Sequence, residues 1–114
     1  MAKTVLVADD DKDITDAIKR ILERKRYSIS VVYDGFSAKD MLEKNIYDVV
    51  LLDCSMPGLT GVELIRFIRE KNPATKIVIF TGFSVDDKLV KDLGADSFLR
   101  KPISAEMIEK EIES

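Results

Sequence analysis

The sequence predicts an α/β fold, a mainly parallel sheet with helices on both faces. Three observations carry this. Short apolar runs alternate with helical patterns five times, no linker or low-complexity segment separates them, and the third run is near-continuously apolar, as a strand covered on both faces must be. Strands alternating with helices imply right-handed crossovers and a parallel sheet. At 114 residues the chain fits one domain, residues 1–114.

The first strand, Thr4 to Ala8, is β-branched-rich and runs into Asp9, Asp10 and Asp11. Ile14, Ala17, Ile18, Ile21 and Leu22 then fall on one helix face, with Asp11 and Asp13 as first-turn acids favoured by the helix dipole. Ser28 to Tyr33 reads as the second strand, and Asp34-Gly35 as a turn before a helix through Ala38, Met41 and Leu42. Asp48 to Leu52 is the third strand, and Pro57-Gly58 breaks the chain. Thr60 to Glu63 forms a T-x-x-E capping box that opens a helix through Ile65 and Ile68, stopped by Asn72-Pro73. Lys76 to Phe80 is the fourth strand. A fourth helix follows from a capping pattern at Ser84 to Asp87, with Gly94 at its C′ position. Asp96 to Leu99 is a short fifth strand, and Ser104 caps a last helix carrying Met107, Ile108 and Ile112.

Composition removes several function classes. Net charge is −3, from 18 basic and 21 acidic residues spread along the chain, which is no nucleic-acid footprint. The first apolar run is too short for a signal core or a membrane span, so a cytoplasmic location is expected. The one cysteine, Cys54, has no second thiol or histidine with which to form a disulfide or a zinc site, and reads as a small buried residue. The absence of histidine excludes Ser-His-Asp and Cys-His chemistry. A sequence with no Gln and only two Asn also leans toward hyperthermophile composition.

In open parallel sheets, ligands gather at the carboxyl ends of the strands. Here the first strand ends in Asp9-Asp10, the third in Asp53, the fourth in Thr81, and the fifth just before Lys101. Acids sharing a cleft repel one another and recruit a cation, and oxygen-only ligands favour Mg²⁺ or Mn²⁺. Lys101 adds a point charge suited to phosphate and Thr81 a hydroxyl. Together these are the parts for phosphoryl transfer to a carboxylate. Taken singly, Asp53 also reads as a helix or turn acid, Lys101 as a solvated surface lysine, though its place before Pro102 favours the phosphate role, and Thr81 as a capping or packing residue.

The segments VLVADDD at 5–11, VVLLDCSMPGLTG at 49–61, IVIFTG at 77–82 and GADSFLRKP at 94–102 resemble, in order and spacing, the receiver domain of two-component response regulators. The resemblance covers essentially the whole chain. It implies a flavodoxin-like (βα)5 fold with strand order 2-1-3-4-5, and Asp53 as phosphoacceptor. It further implies Mg²⁺ held by Asp10, Asp53 and the Ser55 backbone carbonyl, with Asp9 acting mainly through water. Lys101 would pair with the phosphoryl oxygens, its bond to Pro102 being cis, and Thr81 and Phe98 would form the switch. The implied donor is a sensor histidine kinase, a phosphotransfer protein or a small acyl phosphate. The implied target docks on the face made by the fourth helix, fifth strand and last helix. Such a chain is a signalling switch that catalyses its own phosphorylation and dephosphorylation rather than a metabolic enzyme. Ser55 and Phe83 occupy positions that tune water access in the family, and the apolar Phe83 implies slow self-hydrolysis.

Two positions depart from the family pattern. Thr60 stands where Asp is frequent, and Phe98 replaces a frequent tyrosine. Other readings fit less well. A calcium loop starting at Asp9 would have Ile14 where glycine is needed and Arg20 where glutamate is needed. A haloacid-dehalogenase-like phosphatase would need a hydroxyl or valine where Asp13 stands. A binding module that signals without phosphorylation usually lacks one of the acids or the lysine, and all are present. The chain also reads as a receiver excised from a longer regulator.

Overall fold

Five parallel strands form one sheet in the order β2-β1-β3-β4-β5: β1 (Thr4–Ala8), β2 (Ser28–Val32), β3 (Val49–Asp53), β4 (Lys76–Thr81) and β5 (Ser97–Arg100). Among the described residues, four helices accompany them: α1 (Lys12–Arg24), α2 (Gly35–Lys44), α3 (Gly61–Lys71) and the C-terminal α4 (Ala105–Glu113). The computed structural model describes residues 3–53, 61–81, 88, 92, 94–100 and 104–113, without the side chains at 61, 62, 81 and 105. The Thr60 capping box, Cys54 and most of the helix expected over 84–93 lie outside the described residues. The strand order is that of the flavodoxin-like α/β fold, as the family resemblance implies.

Alternation along each strand sorts the core into two layers. Leu6, Ala8, Val50, Leu52, Ile77 and Ile79 face α2 and α3, where they meet Ala38, Leu42, Leu64, Ile65 and Ile68. Val5, Val7, Val49, Leu51, Val78 and Phe80 face α1 and α4, where they meet Ile18, Leu22, Ile108 and Ile112. Every residue of β3 is buried. A central strand covered on both faces is apolar along Val49–Leu52, with Asp53 the one buried charge at its end, and each fully buried Leu, Ile or Val contributes about 1.5–3 kcal/mol.

Helix ends follow local chemistry. Asp11 sits one position before the first turn and caps α1, its Oδ1 accepting from the backbone N–H of Asp13 at 3.0 Å and of Ile14 at 3.3 Å. Its role is therefore that of cap, with Asp13 the first-turn acid. Asp34 likewise caps α2 rather than forming a free turn with Gly35. Its carboxylate accepts from the Ser37 backbone N–H at 2.7 Å and from the Ser37 hydroxyl at 3.0 Å. Those two bonds hold the Asp34 carboxyl below its usual range. Ser104 caps α4 as expected, its Oγ accepting from Met107 N–H at 3.2 Å.

At the end of α1, Arg26 N–H donates to Glu23 O and Tyr27 N–H to Leu22 O, with Arg26 at φ +67°. This is a Schellman ending with arginine in the left-handed position that glycine usually takes. The strand boundaries shift by one residue from the sequence expectation at β2, β3, β4 and β5, the ordinary uncertainty of element ends.

The amino-terminal edge of the sheet is closed by charged side chains. Thr4 N–H donates to Asp48 Oδ2 at 2.8 Å, and Asp48 N–H to Thr4 Oγ1 at 3.0 Å. Lys3 Nζ donates to Ile112 O at 2.9 Å and Lys76 Nζ to Glu111 O, so two ammonium groups cover the carbonyls at the end of α4. Tyr27 OH donates to a Glu113 carboxylate oxygen. The tyrosine pKa is pushed up to about 12, by desolvation first and by Glu113 second.

Candidate metal centre

The parallel register brings the strand ends to one edge. Ala8 lies opposite Leu52, Asp53 opposite Phe80, and Thr81 opposite Arg100. Asp9 leaves the end of β1 with its N–H bonded to Val32 O of β2 at 3.2 Å, and its Oδ1 accepts from Asp11 N–H at 3.0 Å. That second bond ties the turn leaving β1 to the cap of α1. Asp53 is the last residue of β3 and continues the alternation of Val49 and Leu51 toward the α1 side.

As a result, Asp9, Asp10 and Asp53 each offer a carboxylate oxygen within 4.8 Å of the others. Asp9 is 0% and Asp53 2% exposed, while Asp10 is open to solvent. The N-terminus of α1 begins two residues after Asp10, and its partial positive charge favours acids there. Three carboxylates so close are costly unless positive charge is shared among them.

The donor set fits a hard divalent cation. Ligand oxygens on an octahedral Mg²⁺ at about 2.1 Å lie about 3 to 4 Å apart, a spacing three oxygens gathered this closely can reach. All the donors are oxygen, and one side of the cluster faces solvent, which suits an ion that keeps several waters. Of the other residues predicted for the site, the Thr81 backbone ends β4 at the same edge. Phe98, in β5, is partly buried and packs on the α2–α3 layer. Ser55, Phe83, Lys101 and Pro102 lie outside the described residues, as does the Thr81 side chain. Sequence reasoning missed the part Asp11 plays in fixing the turn that carries Asp9 and Asp10. Its position at the head of an apolar-periodic helix was the available signal.

Residues 5–113 match the family described as "Response regulator receiver domain". Among solved structures, the chain is similar to the receiver domain of the Francisella response regulator 1452, at 32% identity and TM-score 0.90, covering 97% of this chain and 93% of that one. It is similar to the beryllofluoride-activated NtrC4 receiver domain dimer at 34% identity and TM-score 0.89, covering 96% and 93%. A CheY-like receiver domain protein from Methanospirillum hungatei JF-1 superposes with TM-score 0.93 at 26% identity, covering 99% and 92%. The chain belongs to the response regulator receiver domain family, the signalling switches of two-component systems. Among the described residues, no helix is long and apolar enough to cross a membrane.

Proposed function

We propose that this chain is a Mg²⁺-dependent phosphoryl switch in which Asp53 is the phosphoacceptor. The observation that carries the reading is the convergence of Asp9, Asp10 and Asp53 at the carboxyl edge of the sheet, in a chain of the receiver family. Asp10 and Asp53, with the Ser55 carbonyl and with Asp9 mainly through water, would hold Mg²⁺ or Mn²⁺. When bound, the cation supplies positive charge that offsets repulsion between these acids and an incoming phosphoryl group.

An Asp53 carboxylate oxygen attacks the phosphorus of a donor, either a phosphohistidine of a sensor kinase or phosphotransfer protein, or an acyl phosphate. The new O–P bond forms as the bond from phosphorus to the donor breaks. The leaving group keeps the bonding pair: a phosphohistidine already protonated at its other ring nitrogen departs as neutral imidazole, and an acyl phosphate departs as its carboxylate. Lys101 stabilises the negative charge spread over the phosphoryl oxygens. The same centre, with water as nucleophile, removes the phosphoryl group, slowly where Phe83 limits water access.

Phosphorylation adds about −1.5 to −2 charge and three strong acceptors. A Thr81 hydroxyl bond to them is worth roughly 1.5–3 kcal/mol, enough to shift a two-state equilibrium by about ten- to a hundredfold. Phe98 then exchanges its partly buried rotamer for another. The surface formed by the 84–93 segment, β5 and α4 is where a protein partner reads the change, in the cytoplasm. NtrC4, a relative in the same family, has a beryllofluoride-activated receiver, which supports a phosphoryl-responsive state here. Acetyl phosphate with Mg²⁺ should add the mass of one phosphoryl group to the intact protein and none to Asp53→Asn. No gain in wild type, or an equal gain in the variant, refutes the reading.

A further inference from the structure

Among the described residues, β5 is a four-residue edge strand paired with β4 alone, so side-chain contacts have a large part in fixing where it enters the sheet. The Arg69 side chain, near the end of α3, does this from one guanidinium. Nε donates to Gly94 O at 2.7 Å, Nη1 to Thr75 O at 2.5 Å and Pro73 O at 3.0 Å, and Nη2 to Asp96 Oδ2 at 2.5 Å. Asp96 Oδ2 also accepts from Ile77 N–H of β4 at 2.8 Å, while Asp96 N–H donates to Ile77 O at 2.9 Å. One fork therefore joins α3, the loop after it, the start of β4 and the entry to β5. Gly94 makes room for it. Its φ is +114°, and a Cβ there would stand 3.0 Å from Arg69 Cγ.

Phe98 follows Asp96 by two residues, and the Asp96 bond to Arg69 of α3 puts the two on the same side of the sheet. On that face Phe98 packs against the core layer that holds Ile65 and Ile68 of α3, the helix that carries Arg69. We propose that Arg69 is a positioning residue: by clamping Asp96 and Gly94 onto α3 it sets the resting placement of Phe98. The consequence for signalling rests on Phe98 being the residue that changes rotamer on phosphorylation, whereas the placement itself does not. The clamp lies at the amino-terminal end of β5 and the acid cluster at the carboxyl ends of the strands. The two are thus separable by mutation.

The chain has no Trp, so Phe98→Trp gives a single tryptophan, excited beyond the tyrosine absorption band, whose quenching by acrylamide reports its exposure. In that background, Arg69→Met and Asp96→Asn should raise the resting quenching constant about twofold as the strand entry loosens. Ile18→Val, on the opposite core layer, should leave it unchanged while lowering Tm. Arg69→Lys should not restore the wild-type value, because one ammonium cannot serve acceptors in a fork. With Phe98 retained, hydrogen exchange of the Ser97–Arg100 amides should be about tenfold faster in Arg69→Met than in Ile18→Val. Unchanged quenching and unchanged exchange in Arg69→Met, whatever its Tm, overturn the proposal. Acetyl phosphate labelling of the same variants should match the parent. Absence of labelling in the parent refutes the phosphoryl reading alone, since the resting measurements decide the role of Arg69 independently.

Discussion

Replacing Asp10 by Asn isolates the electrostatic part of the metal centre. Asparagine keeps the shape and one oxygen and removes one charge. A carboxylate bound through an oxygen at about 2.1 Å has its charge centre about 3 Å from the cation. A +2/−1 pair at about 3 Å is worth about 3 kcal/mol at the dielectric of water, and more in protein surroundings. Asp10 is solvent-exposed and its amide still coordinates, so the water-like figure sets the scale. The variant should bind Mg²⁺ about ten- to a hundredfold more weakly. Asp53 is 2% exposed, and Asp53→Asn should lose at least as much. Calorimetric titration of Mg²⁺ into metal-free protein, at fixed ionic strength, reads both. Equal affinity in wild type and Asp10→Asn would show that the three acids do not act as one centre. Weakening in Asp53→Asn alone would show that Asp10 stands outside it.

Two further outcomes follow from local chemistry. The Tyr27 pKa is raised from 10.0 to about 12 in the folded chain, so the protonated phenol is favoured by folding. Its contribution is present in full below pH 10 and is lost as pH rises through 12. The difference in urea-unfolding free energy between wild type and Tyr27→Phe should therefore shrink across that window, and a flat difference would remove the Tyr27–Glu113 bond from the account. Asp11→Ala removes the acceptor for two N–H groups at the start of α1 and should cost about 1 kcal/mol. On a domain this size that is about 4 °C in Tm by calorimetry, and an unchanged Tm would mean water replaces the cap without loss.

Much of this molecule is legible in its sequence because its signals are local and repeated. Val49–Leu52 must be a doubly covered strand, and the i, i+4, i+7 spacing of Ile14, Ile18 and Ile21 is a helix face whatever surrounds it. The acid cluster is legible because parallel strands carry their last residues to one edge, so Asp9 and Asp53 meet although more than forty residues separate them. What escaped notice depends on tertiary contacts. Arg26 takes a left-handed position that costs an L residue roughly 1 kcal/mol and normally signals itself as glycine or asparagine. Only its place between the end of α1 and the start of β2 makes it turn there. Arg69 reads as one more charge on an amphipathic helix, because nothing local says that its acceptors arrive from residues 73, 75, 94 and 96. Asp11 was misplaced by one position because a run of three acids offers several possible caps.

The central claim concerns one atom group, the Asp53 carboxylate, and one condition, a divalent cation among its neighbours. Treating the protein with acetyl phosphate, trapping the acyl phosphate by borohydride reduction and sequencing the peptides by tandem mass spectrometry locates the phosphoryl group. The account predicts the reduced residue at position 53 when Mg²⁺ is present and none when it is chelated. Reduction at another aspartate, or equal labelling of position 53 without the metal, would contradict it.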